Sequence, residues 1–195
     1  MTLWRAPVET PLGTMMAVAS EAGLCALEFT RTFADGRELS RLARLSARLR
    51  RHFLDHVVED GDAPAIAGTR VWLASYFAGV QPASLVPLDL RGAEFEMRVW
   101  RALVQIPAGE TRSYGSIAAE IGAPGAARAV GMANGANPVA IIVPCHRVIG
   151  SSGALTGYGG GLDRKRWLLD HERQWDRRGL FADLTASSAE NHGAP

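Results

Sequence analysis

Cysteine is scarce in this chain: Cys25 and Cys145 are the two thiols in 195 residues. Two cysteines cannot build a disulfide scaffold or a cysteine-rich zinc site, and five scattered histidines supply no complementary ligand pattern. The expectation is a cytosolic thiol protein. Long apolar runs are missing too. No stretch approaches the roughly 18 residues of a membrane span, and the opening MTLWRAPVETPLG has no basic region followed by an apolar core, so neither membrane insertion nor secretion is expected. Charge of one sign is equally absent: the net charge is +1, and bulk charge neither favours nor excludes a nucleic-acid partner. There are no repeats or low-complexity segments. What is present is 47% hydrophobic residues, enough for a real core in one generous domain or two small ones.

Turn signals at TPLG (10–13) and EAG (21–23) bracket TMMAVAS, and LCALEFT follows with alternating apolar residues, which predicts a small antiparallel meander. After ADG (34–36), Leu39, Leu42, Leu45, Leu49 and Phe53 recur at helical spacing with six arginines mostly on the other side, so an amphipathic helix is expected. Its arginines read as a solvated face. His52 and His56 lie four apart on it but lack a third ligand, so no metal is expected. EDGDAPAIAG reads as a polar break, TRVWLASYFAG as a short helix packed through Trp72, Leu73, Tyr76 and Phe77, and QPASLVPLDLRG (81–92) as an extended interdomain linker.

Beyond the linker, Phe95, Val99, Trp100, Leu103 and Val104 share a helical face that stops at Pro107 and Gly109. SYGSIAAEIG predicts a short helix capped by Ser113, and AARAVGMANGA a second that must end before Asn137-Pro138, because a residue preceding proline avoids helical geometry. Two short helices joined by GAPG suggest a helix-turn-helix. The second is poor in side chains able to read base edges: Ala126, Ala127 and their small neighbours leave Arg128 and Asn134 nearly alone. Such a helix either presses its backbone close to a groove or packs tightly in a small core, and composition leaves both open. The run VAIIV leads into PCHRVIG, the loop SSGALTGYGGG follows as a flexible lid carrying Tyr158, and LDRKRWLLDHE is a last helix. The tail from about residue 176 is expected to fray.

Cys25, inside LCALEF, reads as a small buried hydrophobe. Cys145 is followed by His146 and Arg147, both able to favour a thiolate, and the residues alone leave nucleophile and buried thiol both open. Neighbouring side chains of an extended segment point to opposite sides, so His146 needs a bridging water or a sharp turn to reach the thiol. Asp170 and Glu172 are the acidic candidates to orient its imidazole.

Taken together, PLGTMMAVASEAGLCALEF, SYGSIAAEIG, RAVGMANGANP, PCHRVIG and LTGYGGGLDRKRWLLDHE resemble the O6-alkylguanine-DNA alkyltransferases, particularly the bacterial type, over nearly the whole chain to Glu172. The resemblance implies an α+β fold: an N-terminal ribonuclease-H-like domain with a small antiparallel sheet (1–90), a mostly helical winged-helix-like C-terminal domain for DNA binding and alkyl transfer (91–175), and a flexible tail (176–195). It implies irreversible, stoichiometric transfer of the alkyl group from flipped O6-alkylguanine, and from O4-methylthymine, to Cys145. His146 and Glu172 would form a water-linked relay, Asn137 would brace the turn, and Tyr114 would bind near the flipped nucleotide's phosphate and assist protonation of the departing guanine. Arg128 would be the finger entering the duplex, with Ser113, Tyr114, Ala126, Ala127 and Asn134 on the DNA side and Pro144, Val148, Tyr158, Gly159 and Gly160 around the substrate. The expected partner is double-stranded DNA containing O6-alkylguanine, met through its minor groove by a monomer in the bacterial cytoplasm or nucleoid, with no cofactor.

Two departures stand out. Some relatives carry a structural zinc in the N-terminal domain, for which this sequence offers only Cys25, and relatives often have alanine or serine where Gly159 stands. Two rivals differ in class: a non-enzymatic lesion-binding protein, against which Cys145 argues, and a cysteine hydrolase, against which the missing distant histidine and oxyanion motif argue.

Overall fold

The computed structural model describes residues 1–30, 38–82 and 85–189, and the side chains of these except 38–42 and 176–189. The expected ADG turn lies outside the described residues. Strands β1 (Thr2–Val8), β2 (Met15–Ser20) and β3 (Gly23–Phe29) form the antiparallel meander. A fourth strand, β4 (Val57–Asp60), pairs in parallel with β1, so the sheet order is β3-β2-β1-β4. VVED escaped the sequence reading because it is an edge strand with hardly any buried residue, and so carries no alternation to detect.

Alternation along the other strands sends their side chains to two faces. Leu3, Val18 and Cys25 pack under helix α1 (Glu38–His52), where Leu45, Leu49 and the following Phe53 complete a small cluster. Cys25 is a core residue here, and burial pushes its thiol up to about 11. On the other face, Val8, Met15, Ala17 and Leu27 join the main core with α2 (Pro64–Phe77). This helix begins within the segment read as a polar break, with Pro64 in its first turn, where the missing proline N–H costs nothing.

The C-terminal half supplies α3 (Glu94–Val104), β5 (Arg112–Ser113), α4 (Tyr114–Glu120), α5 (Ala127–Gly135), a 3-10 turn (Cys145–Arg147), β6 (Val148–Ile149) and α6 (Leu162–Ala189). The two-residue strands β5 and β6 pair in parallel. α3 buries Val99, Trp100, Ala102 and Leu103, while Val104, expected on that face, is its last residue and lies at the exposed rim. Ser113 caps α4 as expected: its hydroxyl accepts from the Ser116 N–H at 3.0 Å, and the Ser116 hydroxyl accepts from the Ser113 N–H at 3.0 Å. α4 and α5 pack together across the turn at 121–126. α6 continues past residue 176, where fraying was expected, and 190–195 lie outside the described residues.

The two halves share one apolar core, from Ala6 and Met15 to Val130 and Leu168. They are stitched along the free edge of β3. Its Leu24 N–H donates to the Pro87 carbonyl at 2.8 Å and its carbonyl accepts from the Asp89 N–H at 3.0 Å, so the segment read as a linker runs as a strap against the sheet. Three residues on, the Leu27 N–H donates to the Pro138 carbonyl at 2.8 Å and its carbonyl accepts from the Ala140 N–H at 2.9 Å. A sheet edge is thereby covered, and the loop that precedes Cys145 is anchored to the N-terminal half.

Gly23 permits the strap to approach: its φ is +152°, and a Cβ there would lie 2.5 Å from the Pro87 carbonyl oxygen. Replacing Gly23 by Ala should therefore lower the unfolding free energy by about 1–3 kcal/mol in denaturant titrations. Gly68→Ala, on an exposed helical position with no neighbour within 4 Å, should instead raise it by about 0.5–1 kcal/mol.

Candidate active site

The loop between α5 and Cys145 is built from turns. Pro138 stops the helix, and the Asn137 side chain then ties the loop to itself: Nδ2 donates to the carbonyls of Val143 at 2.8 Å and Val139 at 3.3 Å, and Oδ1 accepts from the Val139 N–H at 3.0 Å. The apolar run 139–143 pairs with β3 through a single bridge, Val139 opposite Leu27, and then turns back on itself. At its centre the fully buried Ile141 has φ of +71°, a left-handed conformation that costs a β-branched residue about 1–3 kcal/mol. Pro144 then leads into the 3-10 turn holding Cys145, His146 and Arg147, all buried.

Glu172, fully enclosed on α6, organises this turn. Its Oε1 lies 2.8 Å from His146 Nε2 and accepts from the Tyr76 hydroxyl at 2.7 Å and Arg147 Nη2 at 2.8 Å; its Oε2 accepts from Arg147 Nε at 2.9 Å and the Gly109 N–H at 3.2 Å. Burial by itself would raise the carboxyl's pKa, but these hydrogen bonds and the charge of Arg147 hold it well below the usual carboxylate range. Asp170 is exposed and pairs with Arg173, so Glu172 is the residue that meets the histidine.

Burial lowers the pKa of His146 despite Glu172, so the ring is neutral with Nε2–H donating to the carboxylate. Its Nδ1 is buried with no hydrogen-bond partner among the described residues, an acceptor left open. Arg147, read from sequence as support for a thiolate, is committed elsewhere: it neutralises Glu172 and donates to the Ile106 carbonyl at 2.5 Å. The Cys145 thiol itself is raised by burial, opposed by a hydrogen bond from Asn137 and by the positive charge of Lys165. The resting sulfur is therefore a protonated thiol.

Cys145 faces a cavity of about 220 Å³ whose walls include Asn134, Asn137, Tyr158, Gly159 and Gly160, with Glu28, Phe29, Arg44 and Arg48 contributed by the N-terminal half. Of the residues expected around a substrate, Tyr158, Gly159 and Gly160 are thus assembled with the thiol. Pro144 and Val148 are not on this cavity. Both are buried, Pro144 on the side of the turn facing Tyr76 and Arg147, and Val148 in β6 with its carbonyl held by Lys165.

Asn134 also departs from expectation. It was placed among surface residues facing DNA, but it points inward from α5, is 3% exposed, and donates through Nδ2 to the Cys145 carbonyl at 3.3 Å. The helical period explains this, since Asn134 follows Val130 by four residues and shares its buried face. Arg128 is exposed, Ala126 and Ala127 are half-buried, and Ser113 serves as the cap already described. The Tyr114 hydroxyl donates to the Thr156 carbonyl in the lid at 3.3 Å.

Two lid supports were missed in the sequence. Lys165 is fully buried and donates to the carbonyls of Val148 at 2.6 Å and Thr156 at 2.7 Å, and burial pushes its pKa down to about 8. Arg164 lies over the Phe29 ring and donates to the carbonyls of Gly160 and Leu12. A signal for the first existed: Lys165 is the single lysine in a chain rich in arginine. Among the described residues no cluster of three or more potential metal ligands occurs, and no helix is long and apolar enough to cross a membrane.

A buried Cys-His-Glu constellation thus lies beside a two-helix unit on a mixed sheet-and-helix frame, and this combination is shared with one class of DNA methyltransferases. The family model described as 6-O-methylguanine DNA methyltransferase, DNA binding domain, matches residues 94–174. The methylated-DNA--protein-cysteine methyltransferase of Salmonella typhimurium is 44% identical over 167 residues, covering 85% of this chain and 92% of that protein. That of Mycolicibacterium paratuberculosis is 68% identical over 110 residues, covering 56% of this chain and 67% of that protein. The crystal structure of Mycobacterium tuberculosis OGT in complex with DNA superposes with a TM-score of 0.70 at 43% identity, covering 90% of this chain and 94% of that one. The chain belongs to the methylated-DNA--protein-cysteine methyltransferase family, the O6-alkylguanine-DNA alkyltransferases.

Glu172→Gln leaves the buried Arg147 without its counter-ion, and should cost about 3–5 kcal/mol of unfolding free energy at pH 7. Because the folded pKa of Glu172 is depressed, its stabilisation is complete above the unfolded value near about 4.3 and is lost as pH falls below it towards the folded value. The variant should therefore lose less stability than the parent between about pH 5 and pH 2, as read by thermal melts across that range.

Proposed function

We propose that this protein repairs DNA by taking the alkyl group from O6-alkylguanine, and from O4-methylthymine, irreversibly onto Cys145, each molecule acting once. The observation that carries this reading is the neutral, buried His146, held through Nε2 by Glu172 and left with Nδ1 open, next in sequence to a protonated thiol on the wall of a base-sized cavity. A water between Nδ1 and the sulfur passes the thiol proton to the imidazole, whose developing charge is stabilised by the Glu172 carboxylate. The thiolate attacks the alkyl carbon; the S–C bond forms as the C–O6 bond breaks. Guanine leaves with the electron pair of that bond, and Tyr114 assists its protonation. The product thioether has no route back to a thiol, which makes the transfer stoichiometric.

Asn137 supports the sulfur from the loop side, and the carbonyls and amides of the Tyr158–Gly160 lid cover the base. The small residues Ala126 and Ala127 at the head of α5 let the helix-turn-helix approach the minor groove closely, with Ser113 and Tyr114 near the backbone phosphate and the exposed Arg128 filling the gap left by the extruded nucleotide. The N-terminal half is read as ribonuclease-H-like and the C-terminal half as winged-helix-like, acting as a monomer in the bacterial cytoplasm or nucleoid.

Incubation with a duplex containing O6-methylguanine should add one methyl group to the tryptic peptide bearing Cys145 and no more than one per molecule; Cys145→Ser should add none. Repeated turnover, or unmodified protein after tight binding, contradicts the reading. Arg128→Ala should slow repair within a duplex by roughly tenfold to a hundredfold, because unstacking a base costs a few kcal/mol, and should leave reaction with free O6-benzylguanine nearly unchanged. Equal losses on both substrates would remove Arg128 from the flipping step.

A further inference from the structure

Arg48 reaches out of α1, an element of the N-terminal half, into the wall of the Cys145 cavity. Its guanidinium lies 4.7 Å from the centroid of the Trp100 ring, its Nη1 donates to the Ala136 carbonyl at 2.9 Å, and its Nη2 donates to the Arg91 carbonyl at 2.9 Å. Glu96, 3.9 Å away, answers its charge. Trp100, fully buried, donates through Nε1 to the Ala133 carbonyl at 2.9 Å. Stacked cation and indole therefore hold two carbonyls at the end of α5: that of Ala133, which also accepts from the Ala136 N–H at 3.2 Å, and that of Ala136, the capping residue, which the helix terminus leaves without an intrahelical donor.

What those carbonyls control is the nucleophile. Asn134, next to Ala133, holds the Cys145 carbonyl, and Asn137 shares a peptide plane with the Ala136 carbonyl while its side chain holds Val143 and the thiol. Turning that plane swings Asn137. We propose that Arg48 is a positioning residue for alkyl transfer, clamping the end of α5 together with Trp100 so that Asn134 and Asn137 present Cys145 in its reactive placement. The proposal rests on the alkyl-transfer reading for its chemistry. It gives the N-terminal half a part in the reaction, through the planar fork of one arginine that bridges two chain segments. Arg48 does not act on the sulfur by charge: the charges felt there are those of Lys165 and Glu28, and the other titratable groups around the cavity are Arg44, His146 and Tyr158.

The test uses the full chain and two readouts. Iodoacetamide labelling of Cys145, followed by peptide mass across pH 6–10, reports the thiol without any DNA. Arg48→Met should move this profile to higher pH by about half a unit or more, since the thiolate loses a well-placed donor. Arg48→Met in an Asn137→Ala background should match Asn137→Ala within about twofold, because both changes remove the same support. In single-turnover transfer from an O6-methylguanine duplex, Arg48→Met should lower the limiting rate about tenfold with the half-saturating DNA concentration unchanged. Arg48→Lys keeps the charge but cannot bridge both carbonyls, and should shift both readouts in the same direction by less; it carries the test if the Met variant does not fold. A lowered melting temperature with unmoved labelling profile and limiting rate overturns the proposal, as does a shift that adds to that of Asn137→Ala. Failure of the parent protein to transfer a methyl group overturns the alkyl-transfer reading instead, with the labelling profiles still deciding whether Arg48 sets the thiol.

Discussion

Glu172 is a carboxylate removed from water, and the surrounding fold is arranged so that this is tolerable. Its two oxygens accept from Tyr76 on α2, from His146 and Arg147 on the 3-10 turn, and from the Gly109 backbone after α3. An isolated buried carboxylate would protonate; one with a bidentate guanidinium and three further donors stays ionised. Helix α6 must then dock where those donors converge, which fixes the depth and rotation of the turn that carries Cys145. The chemistry follows from the same constraint. Because Arg147 neutralises the carboxylate, His146 need not be an imidazolium at rest, and its Nδ1 remains an acceptor.

The cysteine loop is held from the opposite side by the N-terminal sheet. Backbone pairing at Leu27 fixes Pro138 and Ala140, and the Asn137 side chain closes the loop on itself through the Val143 carbonyl. Ile141 in a left-handed conformation is stable in this setting because the surrounding pairing leaves it no alternative, and its side chain is fully buried among the core. The result is a sulfur that is enclosed and protonated, in a loop held at both ends. A permanently charged thiolate would be exposed to oxidants and adventitious electrophiles; a thiol in a shaped cavity is not.

Much of this was legible in the sequence for physical reasons that can be named. The Ser113 cap, the Asn-Pro stop after α5 and the period-2 meander are local signals, and each sits where it was expected. The parts that were not legible depend on what is distant in the chain. β4 has no alternation because it is an edge strand with no buried residue on either face, and the strap at 85–89 reads as a linker because its partner strand, β3, lies far earlier in the chain. The role of Arg147 could not be read from adjacency to Cys145, since the 3-10 turn directs both His146 and Arg147 to the distant Glu172 while the thiol faces the cavity. Asn134 looked like a surface residue when the helix was judged by composition; judged by its period with Val130, it faces inward. Pro144 directly precedes the nucleophile and Val148 follows it by three residues, yet neither lines a wall of its cavity.

The central claim is that His146 rests as a neutral imidazole with its proton on Nε2, directed at Glu172, and with Nδ1 free to accept from the thiol side. Nitrogen-15 NMR of histidine-labelled protein, with His146 assigned by its substitution to Gln, reads this state directly. The account predicts a protonated Nε2 and an unprotonated Nδ1 from pH 7 down to pH values below the ordinary histidine range. An imidazolium at neutral pH, or the tautomer with its proton on Nδ1, would contradict it.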